Sequence, residues 1–276
     1  MPSHRRAVRA VPGCICDSSV ITPAEVLRLD GKVAVVTGGT RGIGRAIAEA
    51  CAAAGAGVAV VARKPDELEE TAKALAAIGA SVLTVQGSVG DPEVATQAIE
   101  ETVDQLGRCD IVVNNAAVNP VFAPLMDADM GAVAKVLDAN IAGPLRFVRA
   151  AWHRWMREHG GVVLNVVSVG GMRPGPFIGA YNTSKAALIH LTRQLAQELA
   201  PGVRVNAVAP GLVKTDMARA LWEPNEDAMA RSHALGRLGV PDDIASAALF
   251  LVSNASSWMT GEVLVVDGGA GVSVRG

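Results

Sequence analysis

The sequence predicts an α/β fold in which a single domain contains a seven-stranded, doubly wound parallel sheet. Two observations lead to this prediction. Short runs of valine, isoleucine and alanine alternate with longer segments of helical character, which is typical of strands that helices cover on both faces. The chain has 276 residues, 50% of them hydrophobic, which is enough for one large domain with a substantial core.

The predicted elements follow one another in a regular order. Gly55 ends the first helix, and Pro201-Gly202 ends the longest one. The predicted strands cover residues 32–37, 58–62, 82–86, 110–114, 162–167, 203–208 and 263–266, and the clearest predicted helices cover 43–54, 66–78 and 180–199. Strands that alternate with helices pair in parallel. A ligand of such a sheet binds beyond the carboxyl ends of the strands.

Residues 1–29 differ from the rest of the chain. Arg5, Arg6 and Arg9 precede the first acidic residue, Asp17, and no periodic pattern is visible. We expect a flexible extension, followed by a domain that covers residues 30–276. An arginine-rich, acid-poor segment is also typical of mitochondrial presequences, and import is therefore the alternative to a cytoplasmic location.

Composition and charge exclude several function classes. The 25 basic and 27 acidic residues give a net charge of −2, and only nine residues are aromatic, so the basic surface and stacking side chains of a nucleic-acid-binding protein are missing. No apolar run approaches the roughly 18 residues of a membrane-spanning helix. The four cysteines and five histidines lack metal-ligand spacing, so no metal site is expected.

The first strand–helix turn carries a glycine motif, Thr37-Gly38-Gly39-Thr40-Arg41-Gly42-Ile43-Gly44. Such glycines allow a tight turn and a close approach of backbone to a pyrophosphate, and the helix that follows presents free N–H groups to the phosphates. The spacing is one residue longer than the usual Rossmann fingerprint, and no Lys-Ser/Thr follows, as it would in the phosphate loop of an NTPase. We therefore predict dinucleotide binding in a Rossmann-type fold.

Basic residues indicate which dinucleotide binds. The second strand ends in Ala62-Arg63-Lys64, where an NAD-binding domain would carry an acidic residue for the ribose hydroxyls. Arg63 can bind a 2′-phosphate through its planar fork, and Arg41 of the glycine turn can approach from the other side. The sequence therefore favours NADP(H) over NAD(H).

Candidate catalytic residues lie around the fifth strand. Tyr181 and Lys185 are four residues apart in a predicted helix, so they share one helix face. Ser168 follows the fifth strand, at the edge of the sheet where ligands bind.

These motifs together resemble those of the short-chain dehydrogenase/reductase family, and the likeness runs from about residue 29 to residue 269. The residues that carry it are Thr37-Gly38-x-x-x-Gly42-Ile43-Gly44, Asn114-Asn115-Ala116, Asn140, Ser168, Tyr181-x-x-x-Lys185 and Pro210-Gly211. The stretch from Asn114 to Pro120 also resembles the NADPH-dependent carbonyl reductases of this family.

The resemblance implies a role for each catalytic residue. Tyr181 would be the general acid in carbonyl reduction and the base in alcohol oxidation, with Lys185 favouring its phenolate and binding the nicotinamide ribose. Ser168 would donate a hydrogen bond to the substrate oxygen. Asn140 would hold a water that links Lys185 to solvent.

The cofactor-binding residues implied in the same way are Gly38, Thr40, Arg41, Gly42, Ile43, Gly44, Arg63, Lys64, Ser88, Val89, Asn115, Ala116, Ala117, Tyr181, Lys185, Pro210, Gly211, Val213 and Thr215. Two positions depart from the family pattern. Ala117 stands where the family often has glycine, and Ser88-Val89 stand where many members have an aspartate for the adenine. Both departures concern the adenosine contacts and leave the catalytic residues unchanged.

The remaining expectations concern the substrate. Residues 216–238 are predicted to form a lid, and the substrate pocket is predicted to be lined by Val118, Gly170, Met172, Phe177, Leu221 and Trp222. The sequence thus predicts an NADP(H)-dependent carbonyl or ketone reductase that acts on a small molecule, assembled as a homotetramer or homodimer. The alternatives are a 3-oxoacyl-acyl-carrier reductase and a non-catalytic NADP-binding redox sensor.

Overall fold

The computed structural model describes residues 22–272, in which seven parallel strands form one sheet. The strands are β1 Val33–Thr37, β2 Gly57–Ala62, β3 Val82–Gln86, β4 Ile111–Asn114, β5 Gly161–Val166, β6 Val203–Pro210 and β7 Val263–Val266. Their order across the sheet is β3-β2-β1-β4-β5-β6-β7. The predicted fold class is confirmed: this is a Rossmann-type, doubly wound, single-domain sheet.

Helices connect these strands and cover both faces of the sheet. They are α1 Pro23–Val26, α2 Gly42–Ala53, α3 Pro65–Ala77, α4 Pro92–Leu106, α5 Met130–Leu137, α6 Gly143–Ala151, α7 Arg157–His159, α8 Gly179–Glu198, α9 Arg219–Trp222, α10 Glu226–Arg231 and α11 Pro241–Val252. Two π-helical segments, Asp138–Ala142 and Trp152–Met156, join α5 to α6 and α6 to α7. Short 3-10 turns lie at Leu125–Asp127, Val169–Gly171, Glu223–Asn225 and Asn254–Ser256. The predicted helices 43–54, 66–78 and 180–199 each begin and end one residue earlier in the structure.

The core consists of two layers, one on each face of the sheet. Every residue of β1 is buried, and successive side chains point to opposite faces. Ala34 and Val36 therefore pack with buried residues of α2, α3 and α11, whereas Val35 packs with buried residues of α4, α6 and α8. This explains why the strands contain almost continuous apolar runs rather than alternating polar and apolar residues.

The strand order reverses between β1 and β4, which are neighbours in the sheet. Strands β2 and β3 extend the sheet on one side of this pair, and β5, β6 and β7 extend it on the other. The register pairs Ala34 with Ile111 and Val36 with Val113. A crevice opens at such a switch point, beyond the carboxyl ends of the two strands, and ligands of open α/β sheets bind there.

The start of the domain differs from the prediction of a flexible extension over residues 1–29. Residues 1–21 lie outside the described part of the chain. Beyond them, Thr22 caps the short helix α1, and Leu29 is buried in the core layer of α2 and α11, with its N–H donating to the carbonyl oxygen of Ala54 (2.8 Å). The predicted boundary at residue 30 is therefore wrong, because the chain already packs against the domain before that position.

No helix between residues 22 and 272 is both long enough and apolar enough to cross a membrane.

Candidate active site

The glycine turn after β1 has a conformation that depends on its glycines. Gly38 and Gly42 have φ values of 63° and 53°, which side-chain-bearing residues rarely adopt. A Cβ added to Gly44 would lie 2.2 Å from the carbonyl oxygen of Gly38 and 2.3 Å from Nδ2 of Asn115. The first N–H groups of α2, which begins at Gly42, have no acceptor within the helix. This turn therefore combines close backbone packing with the N–H groups and positive dipole end that bind a pyrophosphate.

Thr37 and Asn115 hold this turn in place from the ends of β1 and β4. The Thr37 hydroxyl accepts hydrogen bonds from the backbone N–H groups of Asn115 (3.0 Å) and Ala116 (3.1 Å). The Asn115 amide donates to the carbonyl oxygens of Thr37 (3.0 Å) and Gly38 (3.1 Å). Asn115 was predicted to bind the cofactor; its side chain lies at the cleft and also fixes the shape of the glycine turn.

Three cationic side chains line the cleft beside this turn, and we call Arg41, Arg63 and Lys64 the basic cluster. One carboxylate lies among them. Glu67, in the first turn of α3, accepts hydrogen bonds from the Lys64 ammonium (2.7 Å) and the Thr40 hydroxyl (2.9 Å). Its neighbours, chiefly Lys64, hold the pKa of the Glu67 carboxyl below its usual value.

Ser168, Tyr181 and Lys185 lie together on the wall of the cleft formed by β5 and α8. Tyr181 and Lys185 are one turn apart in α8, and the Lys185 ammonium lies 5.6 Å from the centre of the Tyr181 ring. The Lys185 ammonium also donates to the carbonyl oxygen of Val166 at the end of β5 (2.7 Å). The Ser168 hydroxyl accepts a hydrogen bond from the Gly170 N–H (3.0 Å). The sheet and one helix thus bring the three polar side chains to one site.

Burial shifts the ionisation of both titratable groups towards their neutral forms. It raises the pKa of Tyr181 to about 12, although a hydrogen bond with Ser168 opposes the rise. It lowers the pKa of the buried Lys185 ammonium to about 8. Desolvation of the phenol is the largest of these effects on Tyr181, and the expected role of Lys185 in favouring the Tyr181 phenolate stays a prediction.

Asn140 lies behind the cleft wall formed by β5 and α8, in the π-helical segment Asp138–Ala142, and its side chain is fully buried. Its amide oxygen accepts from the Val118 N–H (2.9 Å), and its amide nitrogen donates to the Val118 carbonyl oxygen (3.0 Å) and the Ser184 hydroxyl (3.0 Å). Ser184 in turn donates to the carbonyl oxygen of Tyr181 (2.7 Å). The side chain of Asn140 therefore holds the turn of α8 that carries Tyr181, and does not line the cleft.

The cleft has a volume of about 480 Å³, within the range of small-molecule and cofactor sites. All the residues predicted to bind the cofactor line it, from Gly38 to Thr215. Among the predicted pocket residues, Val118, Gly170 and Leu221 line it as well.

The other three predicted pocket residues are placed differently. Met172 and Phe177 are exposed on the protein surface, and Phe177 contacts the ring of Phe122 (5.7 Å between centroids). Trp222 packs against the Lys214 ammonium (5.9 Å), and its indole N–H donates to the carbonyl oxygen of Thr215 (3.4 Å). The prediction that these three residues line the cleft is therefore wrong, because their side chains turn to the surface or to their own segment.

Comparisons with known proteins agree with this geometry. The family model described as enoyl-(acyl carrier protein) reductase matches residues 38–271. The protein called dehydrogenase/reductase SDR family member 4 from Sus scrofa is 41% identical over 244 residues, which cover 87% of this chain and 88% of that protein.

The chain belongs to the short-chain dehydrogenase/reductase family. It is therefore an oxidoreductase of a family that uses a nicotinamide cofactor and acts on small molecules.

Two solved structures of related enzymes illustrate the range of the family. A 7α-hydroxysteroid dehydrogenase in complex with NADH and a 7-oxo bile acid is 32% identical, with a TM-score of 0.86 over 90% of this chain and 98% of that one. A 3-oxoacyl-(acyl-carrier-protein) reductase from Agrobacterium tumefaciens C58 with NADP bound is 32% identical, with a TM-score of 0.83 over the same shares. Similar members of the family thus bind either dinucleotide.

The residues of this short-chain dehydrogenase/reductase fit a nicotinamide dinucleotide. The glycine turn has backbone N–H groups at which a pyrophosphate would bind, and the cleft runs from the basic cluster to Tyr181 and Lys185. Several cleft residues were not predicted from the sequence, namely Glu67, Asn119, Arg173, Ile178 and Asn182. Of these, Glu67 had a recognisable signal, since it stands in the first turn of the helix after β2, four positions beyond Arg63.

Proposed function

We propose that this protein is an NADPH-dependent carbonyl or ketone reductase, and that it also catalyses the reverse oxidation of secondary alcohols. The observation that carries the proposal is the convergence of Ser168, Tyr181 and Lys185 on one wall of the cleft. When a hydride is transferred to a carbonyl carbon, the carbonyl oxygen must receive a proton. The Tyr181 phenol on this wall can donate that proton, and the Ser168 hydroxyl can donate a hydrogen bond to the same oxygen.

Tyr181 is proposed as the general acid. Its pKa of about 12 keeps the phenol protonated at neutral pH, so a proton is available for the substrate oxygen in every reductive turnover. Ser168 donates a hydrogen bond to the same oxygen and stabilises the negative charge that develops there. A bound nicotinamide supplies or accepts the hydride. In the reverse reaction the Tyr181 phenolate would be the base that takes the proton of the alcohol.

Lys185 and Asn140 are proposed to support this reaction indirectly, through the cofactor and through the position and ionisation of Tyr181. Lys185 is proposed to hold the nicotinamide ribose and, in its charged form, to draw the Tyr181 proton equilibrium towards the phenolate. Asn140 is proposed to keep Tyr181 in position through Ser184. A water held by Asn140, which would connect Lys185 to solvent, stays a prediction.

The preference for NADP(H) is supported by the basic cluster. Arg41 and Arg63 line the cleft next to the glycine turn, and a guanidinium binds a phosphate through charge-assisted hydrogen bonds. No acidic residue ends β2, where it would bind the ribose hydroxyls of NAD(H).

A medium-sized, largely apolar carbonyl compound is the proposed substrate. Residues 216–238 are the proposed lid, and Met217 and Leu221 of this segment line the cleft, as does Ile178. These side chains provide apolar contact area next to the polar groups of the catalytic wall.

Two alternatives remain in competition with this proposal. A 3-oxoacyl-acyl-carrier reductase is compatible with the likeness to the NADP-bound enzyme from Agrobacterium tumefaciens C58. A non-catalytic redox sensor would bind NADP(H) without turnover, and the intact set of Ser168, Tyr181 and Lys185 argues against it.

The experiment that tests the proposal compares the wild-type protein with Tyr181→Phe. NADPH consumption is followed by absorbance with a panel of aliphatic and aromatic ketones and with a 3-oxoacyl thioester. We expect the wild type to reduce the ketones, and Tyr181→Phe to lose about 10²–10⁴-fold in kcat, the usual contribution of a general acid. NADPH affinity, measured by fluorescence titration, should fall only slightly, because the aromatic ring is kept and only the phenolic hydroxyl is lost.

Each contrary outcome has a distinct meaning. Faster turnover of the thioester than of every ketone would favour the acyl-carrier alternative. Tight NADPH binding without turnover of any compound would favour the sensor.

Assembly and location also stay predictions. We propose a homotetramer or homodimer in the cytoplasm, and the exposed Trp258 next to the edge strand β7 offers apolar area for such an interface.

A further inference from the structure

Glu67 is a carboxylate placed inside a site proposed to bind an anion. It lines the cleft together with Arg41, Arg63 and Lys64. Its two oxygens are both engaged, one by the Lys64 ammonium (2.7 Å) and the other by the Thr40 hydroxyl (2.9 Å). The Glu67 side chain is only 29% exposed, whereas that of Lys64 is 63% exposed. The charge of Lys64 is thus compensated by a carboxylate that the fold holds in place.

The other two cations of the basic cluster are not compensated in this way. Between residues 22 and 272, no carboxylate oxygen lies within 4.0 Å of the Arg41 or Arg63 guanidinium. Asp216 lines the same cleft, but it forms an ion pair with Arg219. Arg41 does interact with Glu67 and Asp216 at longer range, since it contributes to the lowered pKa of both carboxyls. The cluster therefore offers two guanidinium groups that lack a paired carboxylate, and a phosphate monoester carries a charge of about −1.5 to −2 at neutral pH.

We propose that Glu67 is a specificity-determining residue that limits how tightly the basic cluster binds the 2′-phosphate of the cofactor. It does so by neutralising Lys64, so that Arg41 and Arg63 provide most of the binding energy. This inference rests on the proposed preference for NADP(H).

The hydrogen bond between Thr40 and Glu67 limits which substitution of Glu67 can test the inference. Because its buried hydroxyl donates to Glu67, Glu67 also joins the glycine turn to α3. Glu67→Gln keeps an oxygen that can accept from Thr40 and removes the negative charge. This variant therefore separates the electrostatic role of Glu67 from its role in holding the turn.

The experiment measures binding of 2′,5′-ADP and of 5′-AMP to the full-length protein by calorimetry. These probes differ only in the 2′-phosphate and require no turnover. We expect Glu67→Gln to bind 2′,5′-ADP about three- to tenfold more tightly, because a nearby like charge is removed. Its affinity for 5′-AMP should stay unchanged. Glu69→Gln is the matched control, since Glu69 pairs with Lys73 on the exposed side of α3, and it should change neither affinity.

A second set of variants tests how much each cation of the basic cluster contributes to binding of the 2′-phosphate. Arg63→Met should weaken 2′,5′-ADP binding by about tenfold or more, as expected for a charge-assisted bond to phosphate. Lys64→Met should weaken binding about three- to fivefold in the wild type, because it leaves the Glu67 carboxylate without its counter-charge, but less than Arg63→Met does, because no direct bond to the phosphate is lost. In the Glu67→Gln background the same substitution should cost about tenfold, since Lys64 is then free to bind the phosphate.

Several results would overturn the inference. These are weaker or unchanged 2′,5′-ADP binding in Glu67→Gln, or a wild-type loss for Lys64→Met equal to that for Arg63→Met. If the wild type binds the two probes equally, the NADP(H) preference fails and this inference fails with it. Absence of carbonyl turnover affects only the proposed function, because both probes are read by binding.

Discussion

The two ends of the cleft differ in how firmly they are held. Hydrogen bonds fix the glycine turn, where we propose that the cofactor binds (the cofactor end), whereas few residues are buried in segment 216–238, which we propose covers the substrate (the substrate end). At the cofactor end, Thr37 and Asn115 fix the glycine turn through four bonds of 3.0–3.1 Å. At the substrate end, His233 and Leu238 are the buried residues of segment 216–238, and α9 and α10 have four and six residues. The difference indicates a preformed cofactor site beside a segment that can adapt to its ligand.

The largest expected effect comes from adding one methyl group to the cofactor end. In Gly44→Ala the new Cβ would lie 2.2 Å from a backbone oxygen, and the turn has to move away. We expect at least a hundredfold weaker dinucleotide binding by calorimetry, and a loss of about 2–3 kcal/mol in the free energy of unfolding.

Gly202→Ala is the matched control, because the nearest atom to its added Cβ lies 4.0 Å away. It should change the free energy of unfolding by less than about 0.5 kcal/mol. Normal dinucleotide affinity in Gly44→Ala would show that the turn is more adaptable than its packing indicates.

The same contrast explains which parts of the molecule could be predicted from the sequence. The glycine turn and the Tyr181–Lys185 pair could be predicted, because the positions of these residues follow from their spacing within one strand–turn–helix unit or one helix. The roles of residues such as Glu67 and Asn140 depend on partners that are distant in sequence. No spacing rule reveals that Glu67 is hydrogen-bonded to Thr40 or that Asn140 is hydrogen-bonded to Ser184.

The substrate end was predicted least well for a physical reason. The sequence around an apolar loop residue does not reveal whether its side chain faces the cleft, the core or solvent. Met172 and Phe177 are exposed, whereas Ile178, the residue directly after Phe177, lines the cleft. The backbone conformation decides between these outcomes, and Phe177 has a φ of 63°, which is rare for a residue with a side chain.

A second prediction concerns Lys185, which is buried at the boundary between the two ends. Its pKa of about 8 in the folded protein lies below the ordinary 10.5. Between these two pH values the unfolded chain binds more protons at this lysine than the folded protein does. The free energy of unfolding therefore rises with pH from about 8 to 10.5. Below pH 8 the shift costs about 3 kcal/mol. Lys185→Met removes this cost but leaves the Val166 carbonyl without its donor, so we expect a net gain of about 1–2 kcal/mol at pH 7.

Denaturant unfolding at several pH values measures this gain, which should shrink as the pH approaches 10. Lys135→Met, at an exposed lysine of α5, should show no such dependence. Carbonyl reduction by Lys185→Met should fall about 10²-fold or more. An equal free energy of unfolding for Lys185→Met and wild type across the pH range would contradict the burial argument.

Tyr181 provides a direct optical test of the same burial, because it is the protein's only tyrosine. Its pKa of about 12 predicts almost no phenolate absorbance at pH 10, where a free phenol is about half ionised. Half-complete ionisation at pH 10 in the folded protein would mean that the phenol is not desolvated.

The smallest expected effect lies at the substrate end. Leu221 lines the cleft and is 44% exposed, so truncation to alanine removes a modest apolar contact area. Leu221→Ala should raise KM for an apolar ketone about two- to fivefold and leave kcat and NADPH affinity nearly unchanged, because the lost contact is made equally before and during reaction. Leu235→Ala is the matched control in the same segment, since Leu235 is 70% exposed and does not line the cleft. A fall in NADPH affinity in Leu221→Ala would show instead that segment 216–238 supports the cofactor as well, and the contrast between the two ends would then be one of degree.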